Sequence, residues 1–157
     1  MIQVSRRTAL IGAAGLVSGL VAVSALPARA GKSPVFKNFR GRAIRGVDPV
    51  AYFAGKGPVD GDSDFPHEWK GARWLFASAE NRDTFAADPE RYAPQYGGYC
   101  AWAVSQGYTA SIDPEAWSLV DGKLYLNYSL SVRETWNQDI PGNIAKANAN
   151  WPGVLDA

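Results

Sequence analysis

The sequence is poor in the residues that most often carry chemistry. Its 157 residues include one cysteine, Cys100, one histidine, His67, and one methionine, the initiator. A single cysteine excludes an intramolecular disulfide. One cysteine and one histidine cannot close a tetrahedral zinc site. There is no Gly-x-Ser-x-Gly, no phosphate-binding glycine loop with its lysine and no dinucleotide fingerprint, which removes the common hydrolase, nucleotide and nicotinamide readings. No Lys/Arg-rich stripe follows the first 30 residues, so neither nucleic acid nor an anionic membrane surface is an expected partner. Aromatic side chains, in contrast, are plentiful: six Trp, seven Tyr and six Phe in a chain that is 46% apolar and 20% charged. That is enough to fill one ordinary core without a disulfide or a structural metal.

The first 30 residues read as an address. Ser5-Arg6-Arg7-Thr8-Ala9-Leu10 has the form of a twin-arginine export signal. A Gly- and Ala-rich apolar run over 9–26 follows, and Ala28-Arg29-Ala30 is a small-residue cleavage site. The expectation is cleavage after Ala30, a periplasmic protein that begins at Gly31, and no membrane attachment afterwards. The segment holds Arg6, Arg7 and Arg29 and no acid, so its loss turns the formal charge of +1 slightly negative.

The rest predicts a small, single-domain α+β fold. Residues 31–43 are polar and basic, and predict a loosely ordered arm ahead of a domain over 44–157. Asp48-Pro49 opens a short helix through Phe53, with Asp as its cap and Pro in its first position. Gly, Asp and Pro over 55–66 predict a loop. Glu68-Trp69 and Arg73 to Ala77 then form a hairpin around Lys70-Gly71. Ser78 caps a helix over 79–87, and Asp88-Pro89 starts another toward Tyr92.

A second unit of the same kind follows. Trp117 to Val120 and Lys123 to Asn127 flank Asp121-Gly122, a type I′ hairpin signal. Ser131-Val132-Arg133-Glu134 reads as a capping box for a helix from about Val132 to Asp139. Superposing Gly71 on Gly122 pairs Trp74 with Tyr125, Ser78 with Ser129, Phe85 with Trp136 and Asp88 with Asp139. The reading is therefore two hairpin-plus-helix units, each burying a helix aromatic against its own hairpin, with additional short helices. The tail predicts a helix near 143–149 and a docking Trp151-Pro152.

Candidate chemistry centres on the segment between the units, Tyr96-Gly97-Gly98-Tyr99-Cys100-Ala101. A helix closed by Gly107 places Cys100 in its first turn, where free N–H groups and the helix dipole favour the thiolate and lower the thiol pKa. Cys100 is thus a candidate soft-metal ligand or redox-active nucleophile, or a small buried residue filling a gap. His67 is the weaker candidate ligand. Asp48, Glu68 and Asp121 are weaker oxygen donors. A two- or three-coordinate soft ion such as Cu(I) suits this set better than zinc.

Asp48-Pro49-Val50-Ala51-Tyr52-Phe53, the stretch 67–92 and Tyr96 to Ala101 together resemble the YHS-domain family. More narrowly they resemble its exported bacterial branch, in which the position of Cys100 holds cysteine or selenocysteine. The resemblance runs over nearly all of the chain after residue 30. It implies a heavy-metal-binding module, related to domains of copper transporters and metal sensors. Many relatives carry a Tyr-Phe-Cys-Ser stretch. Here it is Leu75-Phe76-Ala77-Ser78, and Ala77 cannot ligate. The first expectation is a metal-binding protein using Cys100, with copper as the model ion. A thiol redox protein with an external thiol partner is the second. A module that binds a ligand or partner without chemistry is the third.

Overall fold

The computed structural model describes residues 31–157, so the expected export segment, 1–30, lies outside the described residues. The elements are helix α1 (Pro49–Phe53), strands β1 (Asp62–Trp69) and β2 (Ala72–Phe76), helices α2 (Ala79–Ala87), α3 (Pro89–Tyr92) and α4 (Ala101–Ser105), strands β3 (Asp113–Val120) and β4 (Lys123–Asn127), and helices α5 (Leu130–Asn137) and α6 (Ile140–Asn150). The strands form two separate antiparallel pairs, β1 with β2 and β3 with β4. This is the expected α+β fold of two hairpin-plus-helix units. Among the described residues no helix is long and apolar enough to cross a membrane.

The two units correspond residue by residue. In the first, Asp62 pairs with Phe76, a bulge follows, and pairing resumes at Pro66 opposite Leu75. In the second, Asp113 pairs with Asn127, a bulge follows, and pairing resumes at Trp117 opposite Leu126. Each bulge opens with an aspartate turned onto its own backbone. Asp62 Oδ1 accepts from Asp64 N at 2.9 Å, and Asp113 Oδ1 accepts from Glu115 N at 3.0 Å. Both hairpins close through two consecutive residues of positive φ, Lys70-Gly71 and Asp121-Gly122, as a type I′ turn demands. The first hairpin is longer than expected, because 62–66 pairs as strand across the bulge and does not stay in the loop.

The helices repeat too. Ser78 Oγ accepts from Asn81 N at 3.1 Å and caps α2; Ser129 Oγ accepts from Val132 N at 3.2 Å and caps α5. The expected capping box at Ser131 is therefore corrected. Ser129 has the extended backbone a cap requires, while Ser131 already lies within the helix. Asp88 and Asp139 cap the next helices, α3 and α6, each with proline at the start. Helix α6 is longer than the expected 143–149 because Asp139 and Pro141 start it earlier.

Two aromatic clusters fill the interior. Trp74, Phe76, Phe85 and Tyr52 anchor one, and Tyr125, Trp136, Tyr96 and Tyr99 the other. Phe85 and Trp136, the paired helix aromatics, are both fully buried, and each such side chain stabilises by about 1.5–3 kcal/mol relative to exposure. Residues 31–43 do not form the expected loose arm. Val35 and Ala43 are buried, Phe36 N donates to Gly97 O at 2.9 Å and Ala43 N to Arg73 O at 2.8 Å. Burying Val35 and packing Phe36 edge-on against Tyr99 ties this stretch to the body.

Candidate functional site

The correspondence extends upstream of the hairpins and reaches Cys100. Before α1, Ile44, Arg45 and Gly46 all have positive φ. Before α4, Tyr96, Gly97 and Gly98 do the same. Such a run is rare outside glycine, and its recurrence one residue short of the same relative place marks equivalent backbone. Gly97 is further required because a Cβ there would collide with Pro34 O. Two residues after each run comes the cap of the next helix: Asp48 for α1 and Cys100 for α4.

Asp48 is fully buried and its carboxylate is saturated. Oδ1 accepts from Val50 N at 2.8 Å and Ala51 N at 3.4 Å. Oδ2 accepts from Ala77 N at 2.9 Å and from Asn81 Nδ2 at 2.7 Å. It therefore ties α1 to the end of β2 and to α2.

Cys100 occupies the equivalent seat and is 1% exposed. Its sulfur accepts from Ala103 N at 3.5 Å and faces the N–H groups of Tyr128 and Trp102. Tyr128 stands where Ala77 stands in the first unit. The thiol donates to Asn127 Oδ1 at 3.6 Å, and the same oxygen accepts from Trp102 N at 3.0 Å. The expected activation of the thiol is corrected. Cys100 caps α4 and precedes its first turn, and burial pushes its pKa up, outweighing the N–H groups of Ala103, Tyr128 and Trp102 that pull it down. Desolvation of an anion exceeds what three long N–H···S contacts return.

The other expected donors sit in different surroundings. His67 lies within β1 opposite Trp74, with its ring edge on Phe85 at 5.9 Å. Glu68 pairs with Arg73 at 3.3 Å at an exposed position. Asp121 holds the left-handed turn position of the second hairpin. Both oxygens of Asp48 are engaged as described. Among the described residues no three His, Cys, Asp or Glu side chains form a group able to hold a metal ion.

Sequence reasoning missed two features. One is Asn127, a fully buried amide against the sulfur. Its signal was the polar residue in Leu124-Tyr125-Leu126-Asn127, a strand otherwise apolar where it is buried. The other is a groove of about 480 Å³ lined by Pro34, Trp69, Lys70, Tyr96, Trp151 and Pro152, among others. At its edge Lys70 Nζ lies 4.4 Å from the Trp69 ring centre and 2.7 Å from Glu90 Oε1. Four segments distant in the chain build it, so no local motif announces it.

These features define a class: an α+β protein of two tandem hairpin-plus-helix units, each tied together through a buried helix cap. Residues 50–96 match the family model described as the YHS domain, a stretch that takes in the first unit. The match stops before Cys100. No curated protein and no solved structure matches the chain.

Proposed function

We propose that the protein is a YHS-type binding module without catalytic chemistry, which takes a small aromatic or apolar ligand in the groove between Trp69, Tyr96 and Trp151. The convergence of three aromatic rings and of Pro34, Pro94 and Pro152 on one concavity carries this reading. Its volume lies within the range of small-molecule sites. Aromatic and proline walls, with Gln95 and Asn148 also in the lining and one charged pair at the edge, suit a flat apolar body bearing a polar group. Against a catalytic role, the chain's one thiol is buried, its pKa is raised, and it has neither imidazole nor carboxylate among its hydrogen-bond partners. The export segment, read from sequence, assigns this work to the periplasm.

The probe we choose is 1-anilinonaphthalene-8-sulfonate, an aromatic anion whose emission rises in apolar sites. Titration of the folded protein should give a saturable one-to-one enhancement. Gln95→Trp, which fills the groove from its wall without changing the core, should weaken it at least about tenfold, or about 1.4 kcal/mol. A flat titration, or equal binding by the variant, overturns the assignment.

A second reading, a soft metal such as copper held by Cys100, has the link of the YHS family to metal binding in its favour. It requires the α4 cap to open, because the sulfur is enclosed at rest. Cu(I) titration against a competing chelator decides it: tight binding that is lost in Cys100→Ala supports it, and binding unchanged in that variant removes it.

A further inference from the structure

The two cap seats differ in a way that points to chemistry at the second. In the first, a carboxylate meets four donors, one of them an amide N–H₂ from Asn81. In the second, the amide comes from the strand: Asn127 stands where the first unit has Phe76, and Val132 stands where it has Asn81. Asn127 is fully buried, its Oδ1 is engaged by Cys100 and Trp102, and its Nδ2 has no partner. A buried amide donor without an acceptor is costly. This one belongs to a side chain that already touches the sulfur. The N–H groups of Ala103, Tyr128 and Trp102 already face the sulfur, and Nδ2, on the far side of the amide at rest, can join them by rotation, so the seat can offer more donors than a thiol uses. The first unit shows what such a seat accommodates: a two-oxygen anion.

We propose that Cys100 is a modification site, oxidised by a hydroperoxide to the sulfinate, which the second seat holds as the first holds the carboxylate of Asp48. The step balances as Cys–SH + 2 H₂O₂ → Cys–SO₂⁻ + H⁺ + 2 H₂O. In each round the sulfur attacks the O–O bond, one S–O bond forms, and the peroxide is reduced to water. The first product is the sulfenate, and the second round gives the sulfinate. With no second cysteine in the chain, the sulfenate is not diverted into an internal disulfide. Once the thiol proton is gone, Asn127 Oδ1 has nothing to accept from the sulfur. A half-turn of its amide points Nδ2 at one sulfinate oxygen and frees Trp102 N for the other. Ala103 N and Tyr128 N complete the set, as Ala51 N and Ala77 N do around Asp48. The sulfur lies beneath the backbone of Tyr128, whose side chain is 55% exposed and lines a depression of about 360 Å³ with Arg45, Ile112 and Asp113. Opening at Tyr128 is the route for peroxide, so the reaction is slow and limited by that opening.

The test is exposure of the folded protein to excess hydrogen peroxide, followed by intact and peptide mass spectrometry. The expected result is a gain of two oxygen atoms at Cys100, stopping short of the sulfonate, unchanged by dithiothreitol. The thermal midpoint of the oxidised protein should equal or exceed that of the reduced one. Cys100→Asp, a carboxylate in place of the sulfinate, should melt no lower than Cys100→Ala. In Asn127→Leu, the sulfinate should proceed to the sulfonate or depress the midpoint. An unoxidised cysteine under these conditions, direct passage to the sulfonate in the wild type, or a Cys100→Asp that melts below Cys100→Ala overturns the proposal. None of these outcomes bears on ligand binding in the groove.

Discussion

The first unit closes its cap with a carboxylate and the second with a thiol, and the rest of the two frames follows one plan. The hairpins share register, bulge and turn, and the helices share serine and aspartate caps. At the seats themselves three side chains change together: Asp48, Phe76 and Asn81 on one side, Cys100, Asn127 and Val132 on the other. The first set is satisfied, with every carboxylate oxygen accepting two hydrogen bonds. The second leaves Asn127 Nδ2 unpartnered. Equal architecture with unequal satisfaction indicates that the first seat serves stability and the second tolerates a deficit at rest.

The largest effect expected from this difference is in truncation. Asp48→Ala strands the N–H groups of Val50, Ala51 and Ala77 and the amide of Asn81 in a buried place, and should cost about 4 kcal/mol. Cys100→Ala removes one sulfur from a seat of weaker bonds and should cost about 1–2 kcal/mol. Urea denaturation of both variants measures the ratio. Equal losses would break the comparison, because they would make the two seats energetically alike.

Much of this frame is readable from local chemistry. Lys70-Gly71 and Asp121-Gly122 announce their turns, and Ser78 and Asp88 announce their helices. Ser129 is instructive: superposing the units pairs it with Ser78 and so marks it as a cap, while the local capping-box pattern points two residues too far. Periodicity across the chain outperformed a short motif there, because an equivalent backbone constrains more atoms than a four-residue pattern does. The seat itself was only half legible. Asp48 reads as a helix cap, but its bonds to Ala77 and Asn81 depend on how α1 meets β2 and α2. Cys100 reads as a helix-start thiol, and sequence cannot weigh its N–H contacts against desolvation. The repeat extends to the caps only if the second unit is one residue shorter between its cap and its hairpin turn, 22 residues from Cys100 to Gly122 against 23 from Asp48 to Gly71, which hid the equivalence of Asp48 and Cys100. The groove was hidden for a different reason, since Pro34, Trp69 and Trp151 meet only in three dimensions.

A second, smaller effect separates the seats by pH. Burial raises the thiol pKa of Cys100, so above the ordinary thiol value the folded chain keeps a proton that the unfolded chain has lost. The folded state then binds more protons, and stability falls as pH rises from about 8.5. The slope cannot exceed about 1.4 kcal/mol per pH unit for one group. Burial also raises Tyr52, Tyr96, Tyr99 and Tyr125, so a further fall begins above about pH 10. Urea midpoints at pH 7 and pH 9.5 should therefore drop more for the wild type than for Cys100→Ala. Parallel drops would show that the thiol titrates freely and that its enclosure is not maintained in solution.

The smallest effect lies at the hairpin turns, where the units again differ by one residue. Both Lys70 and Asp121 hold positive φ, a conformation that suits aspartate and asparagine better than lysine. Asp121→Lys should therefore cost about 0.5 kcal/mol, since Asp121 serves the turn alone. The reverse exchange should not return the same amount. Lys70→Asn improves the turn but loses the contact of Nζ with the Trp69 ring, itself about 0.5 kcal/mol, and an exposed pair with Glu90 of little consequence. The two contributions oppose, and the variant should stay within about 0.5 kcal/mol of the wild type. Thermal melts of the two variants test this. A gain from Lys70→Asn as large as the loss from Asp121→Lys would mean that Lys70 is placed by the turn alone and that its position at the groove edge is incidental.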